Sequence, residues 1–238
     1  LAQDDPGLLR LIGVAHQADD DAARTRVWQV VTAPAVRPKV PTRAWKPKVE
    51  PVTFVTWKWR GSDPRRQFLS EHVNVLAAML DRHYHADHTL VCLTDDPAGL
   101  DGSIEVYALP ETKGDWLGPP RQGGNKLFPA CYRRLWLFSE EAQELGRRLV
   151  LLDIDCIILE DITTLIQGKT ADFVGWCDAS FGWSKVAGGF WALTSGSHVE
   201  VWDRFDPRIS PGLAEEAGHQ GSDQAWLSYM LHPPKQAW

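Results

Sequence analysis

Leu149-Val150-Leu151-Leu152-Asp153-Ile154-Asp155-Cys156-Ile157-Ile158-Leu159-Glu160-Asp161 is an apolar run broken by acids. The continuous aliphatic residues 149–152 predict a strand buried on both faces, the pattern of a parallel sheet. Two carboxylates then interrupt apolar sequence on either side, and burying an unpaired carboxylate is costly, so a counter-charge is expected close by. Along a strand, residues i and i+2 share a face, which aims Asp153 and Asp155 into the same space. Oxygen donors so placed suit a hard divalent cation, Mg²⁺ or Mn²⁺, that keeps positions open for phosphate oxygens. The same residues admit a plainer reading, an acid pair that caps a turn or pairs with Arg133 and Arg134.

Outward from this stretch, strands and helices alternate. Residues 52–59 are β-branched and aromatic, and Gly61, Ser62, Asp63 and Pro64 then supply a turn, an N-cap and a first-turn proline. Leu69, Val73, Leu76 and Leu80 fall on one helical face. Strands are expected at residues 89–94 and 104–109, and a helix at 129–138. Later come strands at 173–176 and 189–194, and a short helix over 222–231 with Ser222 as its cap. The fold class expected is α/β, a Rossmann-type α/β/α sandwich with a mixed, mainly parallel sheet. In such sheets ligands gather at the carboxyl ends of the strands.

Residues 1–51 differ. Leu8, Leu9, Ile12 and Ala15 have helical spacing, after which Pro34, Pro38, Pro41, Pro47 and Pro51 punctuate a basic stretch holding Arg37, Lys39, Arg43, Lys46 and Lys48. This is read as a helical segment and an extended linker, a plain tether or an arm that docks a partner, ahead of one domain over 52–238.

With 238 residues, 44% of them hydrophobic and 24% charged, the chain can bury a sizeable core, which excludes wholesale disorder. Its net charge of −6 argues against general binding to a nucleic acid backbone. No apolar run is long enough to cross a bilayer, and Arg10, Asp4 and Asp5 spoil the one faint signal-peptide pattern. Cys92, Cys131, Cys156 and Cys177 lack paired C-x-x-C spacing and are read as reduced, buried thiols of a cytoplasmic protein. His83, His85 and His88 crowd one stretch and are read as loop or helix-end polarity rather than metal ligands.

The segment from Leu151 to Ile162 resembles the D-x-D region of nucleotide-sugar glycosyltransferases with the GT-A fold, of the family 8 type that includes glycogenin and bacterial galactosyltransferases. Further matches follow in order. Cys131-Tyr132-Arg133-Arg134-Leu135 resembles the Y-x-R-L helix before that motif, Ala187-Gly188-Gly189-Phe190 the N-x-G segment after it, and Gly221-Ser222-Asp223-Gln224 the D-Q segment beyond. Thr56-Trp57-Lys58-Trp59 and Thr94-Asp95-Asp96 are similar to strand ends of a smaller phage and bacterial group. The likeness spans roughly residues 52–238.

The resemblance implies transfer of a sugar from a nucleoside diphosphate sugar to an unknown glycan, protein or small-molecule acceptor, with Mn²⁺ or Mg²⁺. Asp153 would contact the ribose or the metal, and Asp155 would ligate the metal bridging the donor diphosphate. Arg134 would support the acids or the diphosphate, with Arg133 beside it as a second cation. Asp223 and Gln224 would face the reacting sugar. Thr56, Trp57, Lys58 and Asp95 would serve nucleotide recognition, and Gly188 and Gly189 would let the backbone approach the sugar. Trp176 and Trp183 are further candidates for ligand contact. Two departures stand out: Ala187 replaces the usual Asn, and His232-Pro233-Pro234-Lys235 lacks the spacing of the family's closing H-x-x-G-x-x-K-P-W. The chain therefore reads as a fragment without that segment or as an incomplete site, and His232 and Lys235 receive no role. Alternatives are a non-catalytic nucleotide-sugar or glycan-binding module and a haloacid dehalogenase-type phosphohydrolase.

Overall fold

The computed structural model describes residues 51–60, 68–111, 113, 129–175 and 185–231. The readings made for residues 1–50, the turn at 61–64, Trp176, Cys177, Trp183, His232 and Lys235 lie outside the described residues. In chain order the elements are β1 (Val52–Lys58), α1 (Ser70–His83), β2 (His88–Thr94), β3 (Glu105–Ala108), two 3₁₀ helices (Pro129–Phe138 and Glu141–Leu145), β4 (Arg148–Leu152), α2 (Thr163–Gln167), β5 (Phe173–Gly175), β6 (Phe190–Thr194), α3 (Glu200–Asp203), α4 (Ser210–Glu216) and α5 (Asp223–Met230).

The strands form one sheet in the order β3-β2-β1-β4-β6-β5. β1 is parallel to β2 and β4, and β2 to β3, while β6 runs antiparallel to β4 and β5. The expected mixed, mainly parallel sheet is therefore present. Its period-two alternation sorts the core into two layers. Val55, Trp57, Leu149, Leu151, Trp191 and Leu193 pack with the first 3₁₀ helix and α5 on one side. Phe54, Leu90, Val150, Leu152 and Ala192 pack with Val73, Leu76, Met79 and Leu80 of α1 on the other.

Three local expectations are corrected. β4 stops at Leu152, because its last partners are Val55 on β1, opposite Leu151, and Phe190 on β6, opposite Leu152. One further bond joins Asp153 N–H to the Gly189 carbonyl at 2.9 Å, and the chain then turns, with Cys156 N–H on the Asp153 carbonyl at 3.0 Å. Asp153 and Asp155 thus occupy a turn beyond the ladder and do not share a strand face. Leu69 is expected to share one helical face with Val73, Leu76 and Leu80, but the helix begins one residue later and Leu69 is 54% exposed, whereas the other three are fully buried. Ser222 stands at the N-cap of α5, but its hydroxyl donates to the Asp223 carboxylate at 3.0 Å instead of capping the helix.

Candidate functional site

The parallel strands β1, β2 and β4 end at one edge of the sheet. The antiparallel β6 begins there, so Gly188 and Gly189, which precede it, meet the end of β4. His83, His85 and His88 lie where α1 ends and β2 begins, at the opposite edge. Tertiary structure thus separates the histidines from the acids.

Arg134 is the centre of the site. Its 3₁₀ helix buries Tyr132, Leu135, Trp136, Leu137 and Phe138 in the core, which fixes the direction of the arginine side chain. Nη1 donates to Asp153 Oδ1, and Nη2 donates to Asp223 Oδ1 at 2.9 Å. Nε lies 2.8 Å from Asp223 Oδ2, close enough for an ion pair, yet neither atom has a well-aimed hydrogen bond. The contact is ionic and the planar fork is held from two sides.

Asp223 is the first residue of α5 and is wholly buried. Burial raises its pKa above the usual carboxylate range; Arg134 and the Ser222 hydroxyl oppose the rise, and the charge on Asp153 adds to it. For Arg134, burial works against the charge, but Asp153 and Asp223 outweigh it and hold the guanidinium well above its ordinary pKa. Cys131, beside this cluster, is pushed up to about 11 by burial. Burial and the charges of Asp153 and Asp155 likewise raise Cys156.

The two glycines fit this packing. A Cβ on Gly189 would stand 2.7 Å from Asp153 Oδ2, and one on Gly188 would stand 3.1 Å from Arg134 Nη2 and 3.3 Å from Gln224 Oε1. Their close neighbours are therefore the side chains of the site itself. Gln224, one residue into α5, is partly exposed beside Gly188.

Nearby, past the ends of β1 and β2 and against the start of α1, lies a cavity of about 250 Å³ lined in part by Lys58, Trp59, Arg60, Phe68, Ser70 and Asp96. Lys58 is buried; its ammonium donates to the Asp96 carbonyl and lies 3.7 Å from the Asp96 carboxylate. Asp95 is exposed and accepts from the Arg60 N–H at 3.2 Å. Thr56 and Trp57 are buried, Trp57 packing edge-on to Trp136, so neither lines the cavity. The Arg133 guanidinium lies 5.5 Å above the Trp59 ring. The sequence reading missed Asp96 as the partner of Lys58, and Trp59, Phe68 and Ser70 as lining. Trp59 and Asp96 fall within the two quoted strand-end segments, Thr56-Trp57-Lys58-Trp59 and Thr94-Asp95-Asp96, whereas nothing in the sequence marks Phe68 or Ser70 as lining.

Among the described residues, no three or more His, Cys, Asp or Glu side chains gather as a metal cage. The acid pair nonetheless has the chemistry for a hard cation that takes one or two carboxylates and completes its shell with water and phosphate oxygens. Asp155 is exposed, and the Asp153 side chain is 35% exposed, with Oδ1 on Arg134 and Oδ2 against Gly189.

No family model matches the chain, and no curated protein matches it. Among solved structures it is similar to mouse xyloside xylosyltransferase 1 in its apo form, at 10% identity and a TM-score of 0.48, over 79% of this chain and 84% of that one.

Proposed function

We propose that this chain is a divalent-metal-dependent glycosyltransferase acting on a nucleoside diphosphate sugar. One observation carries the reading: Arg134, Asp153, Gly188, Gly189, Asp223 and Gln224, drawn from four separate segments, converge at the carboxyl edge of the sheet. The sequence resemblance singled out those same four segments. An α/β sheet offers its ligand crevice at this edge.

In this reading Asp155 and Asp153 hold the cation, and Arg134 orients Asp153 by taking one of its oxygens. When bound, the cation supplies Lewis-acid stabilisation of the charge developing on the nucleoside diphosphate leaving group. The cavity beside Lys58, Trp59 and Asp96 takes the nucleoside, with the Trp59 ring and the Lys58 stem as its apolar walls. Gln224, partly exposed next to Gly188, offers a neutral amide to sugar hydroxyls. Water and acceptor compete for the same activated sugar, so slow release of nucleoside diphosphate is the minimal activity expected.

The test is incubation of the protein with a panel of nucleoside diphosphate sugars and Mn²⁺, reading nucleoside diphosphate release. Release that requires Mn²⁺ and falls at least tenfold in Asp155→Ala supports the proposal. Release untouched by that substitution would count against the cation site. Binding of donor with no release in the presence of diverse acceptors would identify a binding module instead.

A further inference from the structure

Exposure rises in sequence across the charged triad: the side chains of Asp223, Arg134 and Asp153 are 0%, 9% and 35% exposed. A ligand arriving from solvent meets Asp153 first, the rim of Arg134 next and Asp223 not at all. Both Asp223 oxygens are turned to Arg134, Oδ1 by a 2.9 Å hydrogen bond and Oδ2 by a 2.8 Å ionic contact, and Oδ1 also accepts from Ser222. A carboxylate engaged along one side of a guanidinium fixes both its plane and its reach. The remaining arm, Nη1, then falls on Asp153 Oδ1.

We propose that Asp223 is a positioning residue that acts through Arg134, and that it does not touch the donor sugar as the sequence resemblance implies. Its task is to hold the guanidinium so that Asp153 presents its other oxygen beside Gly189. The ligand contact left to α5 then belongs to Gln224. The Asp223–Arg134 part stands on geometry alone; what Asp153 is positioned for rests on the proposed function.

The experiment uses the whole chain with ¹⁵N-labelled arginine. The Arg134 Nη2–H resonance, from the group that donates to Asp223 Oδ1 at 2.9 Å, is identified by its loss in Arg134→Lys. We expect a slowly exchanging signal in the parent protein, kept in Asp153→Asn and in Asp223→Asn, which retains an acceptor oxygen, and lost in Asp223→Ala. Titration with Mn²⁺ alone should show affinity reduced at least tenfold in Asp223→Ala and restored to within about threefold of the parent in Asp223→Asn, a rescue that a purely structural role would not require. UDP and a UDP-sugar, each with Mn²⁺, should weaken in parallel in Asp223→Ala.

The proposal is overturned if the Arg134 signal survives Asp223→Ala. It is equally overturned if that variant loses affinity only for the sugar-bearing nucleotide, the mark of direct contact. Should the parent protein bind neither Mn²⁺ nor UDP, the proposed function fails, and the arginine resonance still decides the positioning role. If Asp223→Ala does not fold, the comparison of Asp223→Asn with Asp223→Glu replaces it, the longer side chain being expected to displace the signal.

Discussion

Replacing Arg134 with Met removes the guanidinium that bridges Asp153 and Asp223 and leaves a wholly buried carboxylate without it. Removing one partner of a buried ion pair costs about 3–5 kcal/mol, because the charge left behind is neither hydrated nor neutralised. Asp153 adds little to this, since its side chain is 35% exposed and water can replace the arginine. For a chain of this length, such a loss lowers the melting temperature by roughly 6–20 °C. The pH dependence has a definite sign. Asp223 already has a raised pKa from burial, restrained by Arg134. Without Arg134 it rises further, so the folded variant holds a proton that the unfolded chain, with an ordinary carboxylate, has released. Folding is then favoured by acid, with a slope of at most about 1.4 kcal/mol per pH unit from this group. The deficit of Arg134→Met relative to the parent should be largest near about pH 8 and should shrink toward about pH 5. Urea unfolding of both proteins across that range measures it. Adding Asp223→Asn to Arg134→Met should recover at least half of the deficit near neutral pH, because the stranded charge is gone. A deficit that is the same at both ends of the range, and that Asp223→Asn does not reduce, would refute the reasoning.

Gly189→Ala places a methyl group 2.7 Å from Asp153 Oδ2 and should destabilise the protein by about 1–3 kcal/mol while weakening Mn²⁺ binding, both followed by denaturant unfolding and calorimetric titration. Gly188→Ala, whose methyl group would stand 3.1 Å from Arg134 Nη2 and not 2.7 Å from an oxygen, should be milder in both assays. Lys58→Met removes a buried charged donor from the Asp96 carbonyl and should cost about 1.5–3 kcal/mol. It should also reduce UDP affinity by releasing Asp96 from its tie at the wall of the cavity, a loss that titration will detect. Burial raises the Cys92 thiol to about 12 and Cys131 to about 11, and raises Cys156 as well, so iodoacetamide near pH 8 should leave all three unmodified in the native protein and alkylate them once it is unfolded. Peptide mass mapping reads the result; contrary to the expectation of buried thiols, Cys131 and Cys156 are only half-buried, so alkylation of native Cys156 at the unfolded rate would contradict its raised pKa.

The sequence by itself determined the six strands and the helices at 70–83, 129–138 and 223–230, but not the short helices Glu141–Leu145, Thr163–Gln167, Glu200–Asp203 and Ser210–Glu216. The β-branched and aromatic residues of 52–58, the continuous apolar run 149–152, and the three-four spacing of Val73, Leu76 and Leu80 are short-range patterns that depend only on which faces must leave water. The α/β class followed from their alternation. Element ends were less legible: whether Asp153 continues β4 depends on how far β1 and β6 extend beside it, and no local residue records that. What only the tertiary structure decided is the electrostatic arrangement of the site. Arg134 meets Asp153, 19 residues on, and Asp223, 89 residues on. That meeting exists because the first 3₁₀ helix packs in one core layer with Leu149 and Leu151 of β4 and with Trp226 and Leu227 of α5. Residue types named the candidate charges. Whether an acid faces water or an arginine is a long-range packing outcome: Asp155 emerged exposed, Asp153 shared and Asp223 enclosed.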